Sequence, residues 1–268
     1  MSNPTDRTRR TGFALPAIPA GSSFADLNTN RHIGLARAVN KAGFASRSQA
    51  ERLVRQGVVR LNGKIVLDPE KPTTVRDRIE IDGTPLVASR KVYLMCNKPR
   101  GLVTTAEDER GRATVFRCLE GLDLPHVGPV GRLDMASEGL LLFTNDTSWA
   151  NALLDPANRI PKTYHVQVEG AVDEATIARM TTGISDKGEL LRADSVTVLR
   201  VGARHLWLEV VLREGKNREI RRMAAACGLD VLRLVRVRLA CLELGDLPKG
   251  GVRELSVQEL SKLREMTG

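Results

Sequence analysis

The sequence predicts an α+β protein of two domains, a small basic αβ unit followed by a larger domain of mixed strands and helices. Three observations carry that prediction. Residues 31–64 hold eight Lys and Arg against Glu51 alone, a net +7 of the +9 carried by the 268 residues. The same stretch contains the signals of two short helices and a hairpin. A Pro-bearing break at residues 84–90 then precedes a series of short apolar runs, and at 42% hydrophobic the chain can bury a sizeable core.

Residues 1–30 mix Pro, Ser, Gly, Thr and Asn with a basic cluster at Arg7, Arg9 and Arg10, and their lack of period predicts a flexible basic tail. The small unit and its linker span 31–90. Leu35, Ala38, Val39 and Ala42 recur at helical spacing up to Gly43, and Ser46 with Gln49 three residues on forms a capping box for a second helix ending at Gly57. Residues 58–61 and 64–66 flank Asn62-Gly63, a pair that tolerates the positive φ of a tight hairpin turn. Residues 78–81 add a strand, and 84–90 read as linker because Pro85 breaks the pattern.

The larger domain spans 91–268. Strands are expected at 92–96, 140–143, 161–170, 195–200, 205–213 and 231–237, the fifth by strict alternation of Leu206, Leu208, Val210 and Leu212. Helices are expected at 114–119, 147–154 and 173–182, within 213–228, and from Ser256 onward. A Pro-Arg-Gly turn at 99–101 redirects the chain after the first strand, ahead of a charged loop at 107–112.

Chemistry is expected in residues 128–146, GPVGRLDMASEGLLLFTND. Leu140, Leu141, Leu142 and Phe143 read as a buried strand and Asn145-Asp146 as a break with a helix N-cap, which places Asp134 in the loop entering the strand, close to Arg132. Such a loop suits a nucleophile or general base. Taken alone, a loop Asp beside an Arg is read first as a solvated or turn-capping residue.

The full string resembles the catalytic motif of RNA pseudouridine synthases, in the family of small- and large-subunit ribosomal RNA enzymes. NKPRGLVTT at 97–105 is similar to that family's first motif, Lys162-x-Tyr164 to the motif that sets a tyrosine against the target base, and REGKNREIRRM at 213–223 to its third motif. ASRSQAERLVRQGVVRLNGKIV at 45–66 resembles the S-four type RNA-binding domain, named for a small-subunit ribosomal protein. The likeness runs from residue 31 to about 262, and GRATVF and LPKGGVREL look more like the large-subunit members. The resemblance implies a mainly antiparallel sheet with flanking helices, no cofactor, and conversion of a uridine in ribosomal RNA, or in a ribosome assembly intermediate, to pseudouridine. It implies Asp134 as nucleophile, Arg221 as the arginine paired with it, and Tyr164 stacking on the flipped uracil and relaying its proton. Arg132 would be a wedge or phosphate holder, and whether Asp134 attacks sugar or base stays open. Arg37, Lys41, Arg47 and Arg52 of the basic unit, with Lys98, Arg100, Lys216 and Arg218, are expected to meet RNA phosphates; a solvated basic face is the alternative for each run.

Composition narrows the other classes. Cys96, Cys118, Cys227 and Cys241 form no CxxC pair and the four histidines are scattered, so neither zinc nor disulfides are expected. Aromatic content of 3% disfavours recognition by stacked bases on a sheet. With a pI near 9.8 and no long apolar run, a cytoplasmic, monomeric protein with a polyanionic partner and no membrane association is expected. The rival readings are a non-catalytic RNA-binding or ribosome-assembly protein, and a glycosidic-bond hydrolase using Glu138, in a loop, as its second carboxylate.

Overall fold

The computed structural model describes residues 32–105, 108, 110–202 and 204–267; the tail read at 1–30 and part of the charged loop at 107–112 lie outside them. The first unit comprises β1 (Ile33–Gly34), α1 (Leu35–Lys41), α2 (Arg47–Arg55), β2 (Val59–Leu61), β3 (Lys64–Ile65), β4 (Pro72–Thr73), β5 (Ile79–Ile81) and β6 (Thr84–Pro85). Ser46 accepts from the Gln49 amide while the Gln49 side chain accepts from the Ser46 amide, so the capping box starts α2 as its sequence requires. Asn62 and Gly63 both take positive φ, 51° and 80°, between β2 and β3. β3-β2-β5-β6 form an antiparallel sheet and β1 pairs β4. Leu35, Val39, Ala50, Val54 and Val59 are fully buried between helices and sheet, leaving Arg37, Arg47, Arg52, Arg55 and Arg60 on the exposed side. Thr84 and Pro85, read as linker, belong to the edge strand β6, where a residue without an N–H is tolerated.

The rest is built on one nine-stranded sheet. Its elements are β7 (Tyr93–Lys98), a 3-10 turn at Val115–Leu119, β8 (Gly128–Val130), β9 (Glu138–Thr144), α3 (Thr147–Leu154), a second 3-10 turn at Pro156–Asn158, β10 (Lys162–Glu169), α4 (Glu174–Thr182), β11 (Ile184–Asp186), β12 (Glu189–Leu191), β13 (Ser195–Val201), β14 (Leu206–Leu212), α5 (Glu219–Ala226), β15 (Asp230–Leu239), β16 (Leu242–Glu243), β17 (Val252–Glu254) and α6 (Val257–Glu265). The order is β13-β14-β10-β15-β9-β7-β17, with β8 beside β9 and β16 beside β15, while β11 and β12 form a separate hairpin. Every pairing in the large sheet is antiparallel except β15 with β9, which is parallel and holds only through Val235 opposite Glu138 and Arg236 opposite Gly139. That junction divides the apolar interior. On one side Val166, Leu208, Val210, Met223 and Leu191 pack under α4 and α5; on the other the two faces of β7 and β9 are covered separately, Leu140 and Leu142 by α3 and α6, Leu141 and Phe143 by the 115–119 turn. No helix among the described residues is long and apolar enough to cross a membrane.

Candidate active site

Asp134 sits between β8 and β9, as the sequence predicts, on a loop held by its own carbonyls. Thr104 Oγ1 donates to the Leu133 carbonyl at 2.7 Å, and the Leu133 amide donates back to it at 3.3 Å. The Ser137 amide donates to the Asp134 carbonyl at 2.9 Å, the Gly101 amide to that of Met135 at 2.7 Å, and Arg221 Nη2 to that of Ala136 at 3.3 Å. Lys98 Nζ donates to the carbonyls of Ser137, Pro99 and Asp134 at 2.7, 3.1 and 3.2 Å. Five successive carbonyls, 133 to 137, are therefore anchored, and three of the donors come from residues 98–104. Lys98 is fully buried, and burial pulls its pKa down to about 8.

The loop forms one wall of a cleft of about 890 Å³. Arg132, Asp134, Tyr164, Arg213, Lys216 and Arg218 line it, with Arg159, Lys162, Glu219 and Arg236. Tyr164 is half-buried and packs against both the α5-side cluster and the cluster that holds Leu133, so it reaches across the junction. The carboxylate of Asp134 is 35% exposed, and Arg218 Nη1 lies 3.9 Å from its Oδ2. Arg218 reaches that point because it is the N-cap of α5 in a left-handed conformation, φ 50°. The site thus offers a partly exposed carboxylate on a rigid loop, a phenol beside it, and a basic rim, which suits nucleophilic or base chemistry on a polyanionic substrate.

A family model described as RNA pseudouridylate synthase matches residues 92–226, and one for the S4 domain matches 33–79. The chain is 37% identical over 238 residues to an uncharacterised RNA pseudouridine synthase of Aquifex aeolicus, covering 86% of this chain and 93% of the relative. The chain belongs to the RNA pseudouridine synthases. It is also 34% identical to the ribosomal large subunit pseudouridine synthase B of Bacillus subtilis, over 87% of this chain and 96% of that one. A crystal structure of a pseudouridylate synthase superposes with a TM-score of 0.61 at 27% identity, covering 86% of this chain and 99% of the other.

Several residues of the synthase sit differently from their sequence reading. Lys98 does not face phosphate: its ammonium is inside the protein, binding the three carbonyls. Arg221 does not fork the Asp134 carboxylate; its Nη1 donates to the Val231 carbonyl at 3.2 Å, its Nη2 to Ala136, and its Nε is buried without a partner among the described residues. Burial, and after it Arg218, lower the pKa of Arg221, while Asp134 opposes them. Lys216 is tied to Glu214 at 2.5 Å and to the Leu190 carbonyl at 2.6 Å. Glu138 is the first residue of β9, not a loop acid; it is 3% exposed, held by both arms of Arg233 at 3.1 and 3.2 Å and by Lys249 at 2.7 Å. Burial would raise its pKa, but those cations outweigh it and keep the carboxylate charged, which leaves it unsuited to be the second acid of a hydrolase. Arg132 is exposed in the cleft lining; Arg100 is exposed but outside that lining, as are Arg37, Lys41, Arg47 and Arg52 of the first unit. Thr104 and Arg236 went unread: a threonine in a turn and an arginine in an alternating strand carry no local signal of what they meet across the fold.

Proposed function

We propose that the protein converts a specific uridine of large-subunit ribosomal RNA to pseudouridine, with Asp134 as nucleophile on a nucleotide flipped into the cleft. The observation that carries this reading is the anchoring of carbonyls 133–137, which fixes Asp134 beside Tyr164 in a basic cleft without neutralising its carboxylate. Arg218 supplies a positive charge 3.9 Å from the Asp134 carboxylate. Arg221 acts through the loop, holding the carbonyl of Ala136 two residues beyond Asp134. Tyr164 packs against the flipped base and takes up the proton lost from its ring. Arg132 and Arg100 hold phosphates, and residues 31–90, with Arg37, Lys41, Arg47 and Arg52, dock the RNA while 91–268 carry the chemistry. Bond cleavage, rotation and rejoining need neither redox change nor external energy, so the reaction runs without a cofactor. The protein acts as a monomer in the cytoplasm. The large-subunit assignment is supported by the Bacillus relative and by a Haemophilus influenzae large subunit synthase B, 35% identical over 87% of this chain.

The test is to map pseudouridines in ribosomal RNA from cells with and without the gene. Loss of one position in large-subunit RNA is the expected result. An unchanged map with impaired subunit assembly would favour the non-catalytic reading instead.

A further inference from the structure

Two ionisable side chains in the cleft lining are buried and short of hydrogen bonds. Arg236 on β15 is 4% exposed; its Nε donates to the Leu140 carbonyl at 2.7 Å, and its Nη2 has no partner among the described residues. Glu219, the first residue of α5, is 3% exposed; its Oε2 accepts from the Lys216 amide at 3.2 Å, and its Oε1 likewise has no partner. Lys162, whose Nζ donates to the Ile160 carbonyl at 2.9 Å, lines the same cleft as both. Buried polar atoms are rarely left unsatisfied, and at a binding site an orphan atom marks where a ligand atom belongs. Here the orphans are of opposite sense, one donor and one acceptor. A phosphate would satisfy the arginine but meet the carboxylate, and the surrounding Leu212, Ile220, Leu234 and Leu239 favour a flat, largely apolar ligand.

We infer that Arg236 and Glu219 together read the imide edge of the flipped uracil, Arg236 donating to the C4 carbonyl and Glu219 accepting from N3–H. This rests on the pseudouridine synthase reading and adds the basis of base choice. Uracil presents a carbonyl next to an N–H, whereas cytosine presents an amino group next to a bare nitrogen. Cytosine would therefore set donor against donor and acceptor against acceptor, which a buried site rejects far more strongly than it rejects a change of size. The geometry of the reaction fits the same pair. Turning uracil about the axis through N3 and C6 exchanges N1 with C5 and the C2 carbonyl with the C4 carbonyl, while N3–H stays on the axis. A donor placed for one carbonyl before the turn finds the other afterwards, so the pair holds the base in both orientations.

The test uses the RNA segment in which the wild-type chain forms pseudouridine, a step that scores the catalytic reading by itself. Dissociation constants are then measured on the full chain carrying Asp134→Asn, for segments with uridine, cytidine or 4-thiouridine at the target position. Uridine should be bound roughly ten- to a hundredfold more tightly than cytidine. Adding Arg236→Met or Glu219→Ala should bring that ratio to within about threefold. Arg236→Met should also abolish the preference for uridine over 4-thiouridine, a preference that Glu219→Ala leaves in place and Arg236→Lys partly restores. A uridine preference undiminished by either substitution would overturn the inference. So would an equal weakening of all three RNAs, which would make Arg236 a phosphate or packing residue.

Discussion

Asp134 is positioned through its backbone, its carboxylate approached by Arg218 only at 3.9 Å, and the residues around it divide accordingly. Asp134→Asn keeps the loop's carbonyl bonds and removes the proposed nucleophile, so pseudouridine formation should fall below detection while RNA binding persists; a gel-shift titration beside a turnover assay checks both. Arg221 contributes two separate donors to the carbonyls of Ala136 and Val231, and Lys brings only one short, rotatable head to that place. Arg221→Lys should therefore retain more kcat than Arg221→Ala, and equal values would mean that its anchoring of the loop is dispensable. Lys98 supplies a pH dependence with two opposite signs. Below about 8 its ammonium has a hydrogen for each of its three carbonyls; above that value the neutral amine has two, so turnover should decline as pH rises through about 8. Stability moves the other way, because between about 8 and the ordinary 10.5 the unfolded chain binds a proton that the folded chain does not. Paired pH profiles of rate and of thermal midpoint test this, and Lys98→Met should flatten both. Residue type and motif singled out Asp134, Tyr164 and Arg221; the first two line one cleft, while Arg221 braces the loop backbone and not the carboxylate it was read to pair with. The site was not legible at Lys98, whose sequence neighbours say nothing of burial, nor at Arg236 and Thr104, whose partners lie 96 and 29 residues away along the chain.

Among the elements, those with their own stop and start signals were legible and those created by pairing were not. The capping box of α2, the Asp146 side chain that accepts from Trp149 at the start of α3, and the alternation of β14 each act within a few residues. Ser256 caps α6 in the same way. β1, β4, β6 and β16 are two residues long, and β8 and the β11–β12 hairpin show no alternation long enough to register; neighbours far along the chain make them strands. The junction of β9 and β15 depends on Gly139, which stands between Glu138 and the apolar run and gave no sign of its importance. Its φ is 101°, and a Cβ there would stand 2.3 Å from the Arg236 carbonyl oxygen. Gly139→Ala should accordingly cost at least ~2 kcal/mol of stability in a urea titration, through strain and a forced separation of the two strands. A loss of only a few tenths would mean that the junction can shift to admit the methyl group.

Across the molecule, charge and chemistry are kept apart. Residues 1–90 carry fifteen Lys and Arg against eight Asp and Glu, a net +7 of the total +9, while Asp134, Tyr164 and Arg221 all lie beyond them. If the exposed arginines of α1 and α2 dock the RNA, replacing Arg37, Arg47, Arg52 and Arg55 by Gln in the full chain should weaken binding. The slope of log affinity against log salt should also become shallower, by roughly 0.7 to 0.9 for each phosphate that is no longer neutralised. Matching slopes would place the main docking surface at the cleft rim instead. The seam between β9 and β15 adds a condition of time. The small unit draws its buried residues from positions 35–81, which leave the ribosome early, whereas the parallel join at Val235 and Arg236 needs a strand made some 100 residues after Glu138. Lys98, Gly101 and Thr104 can hold their side of the Asp134 loop before then; Arg218 and Arg221, on the helix that packs against β15, cannot yet be held in place. If the small unit is the docking module, the protein can grip RNA during its own synthesis before it can alter it, and catalytic competence arrives with the last strands of the sheet.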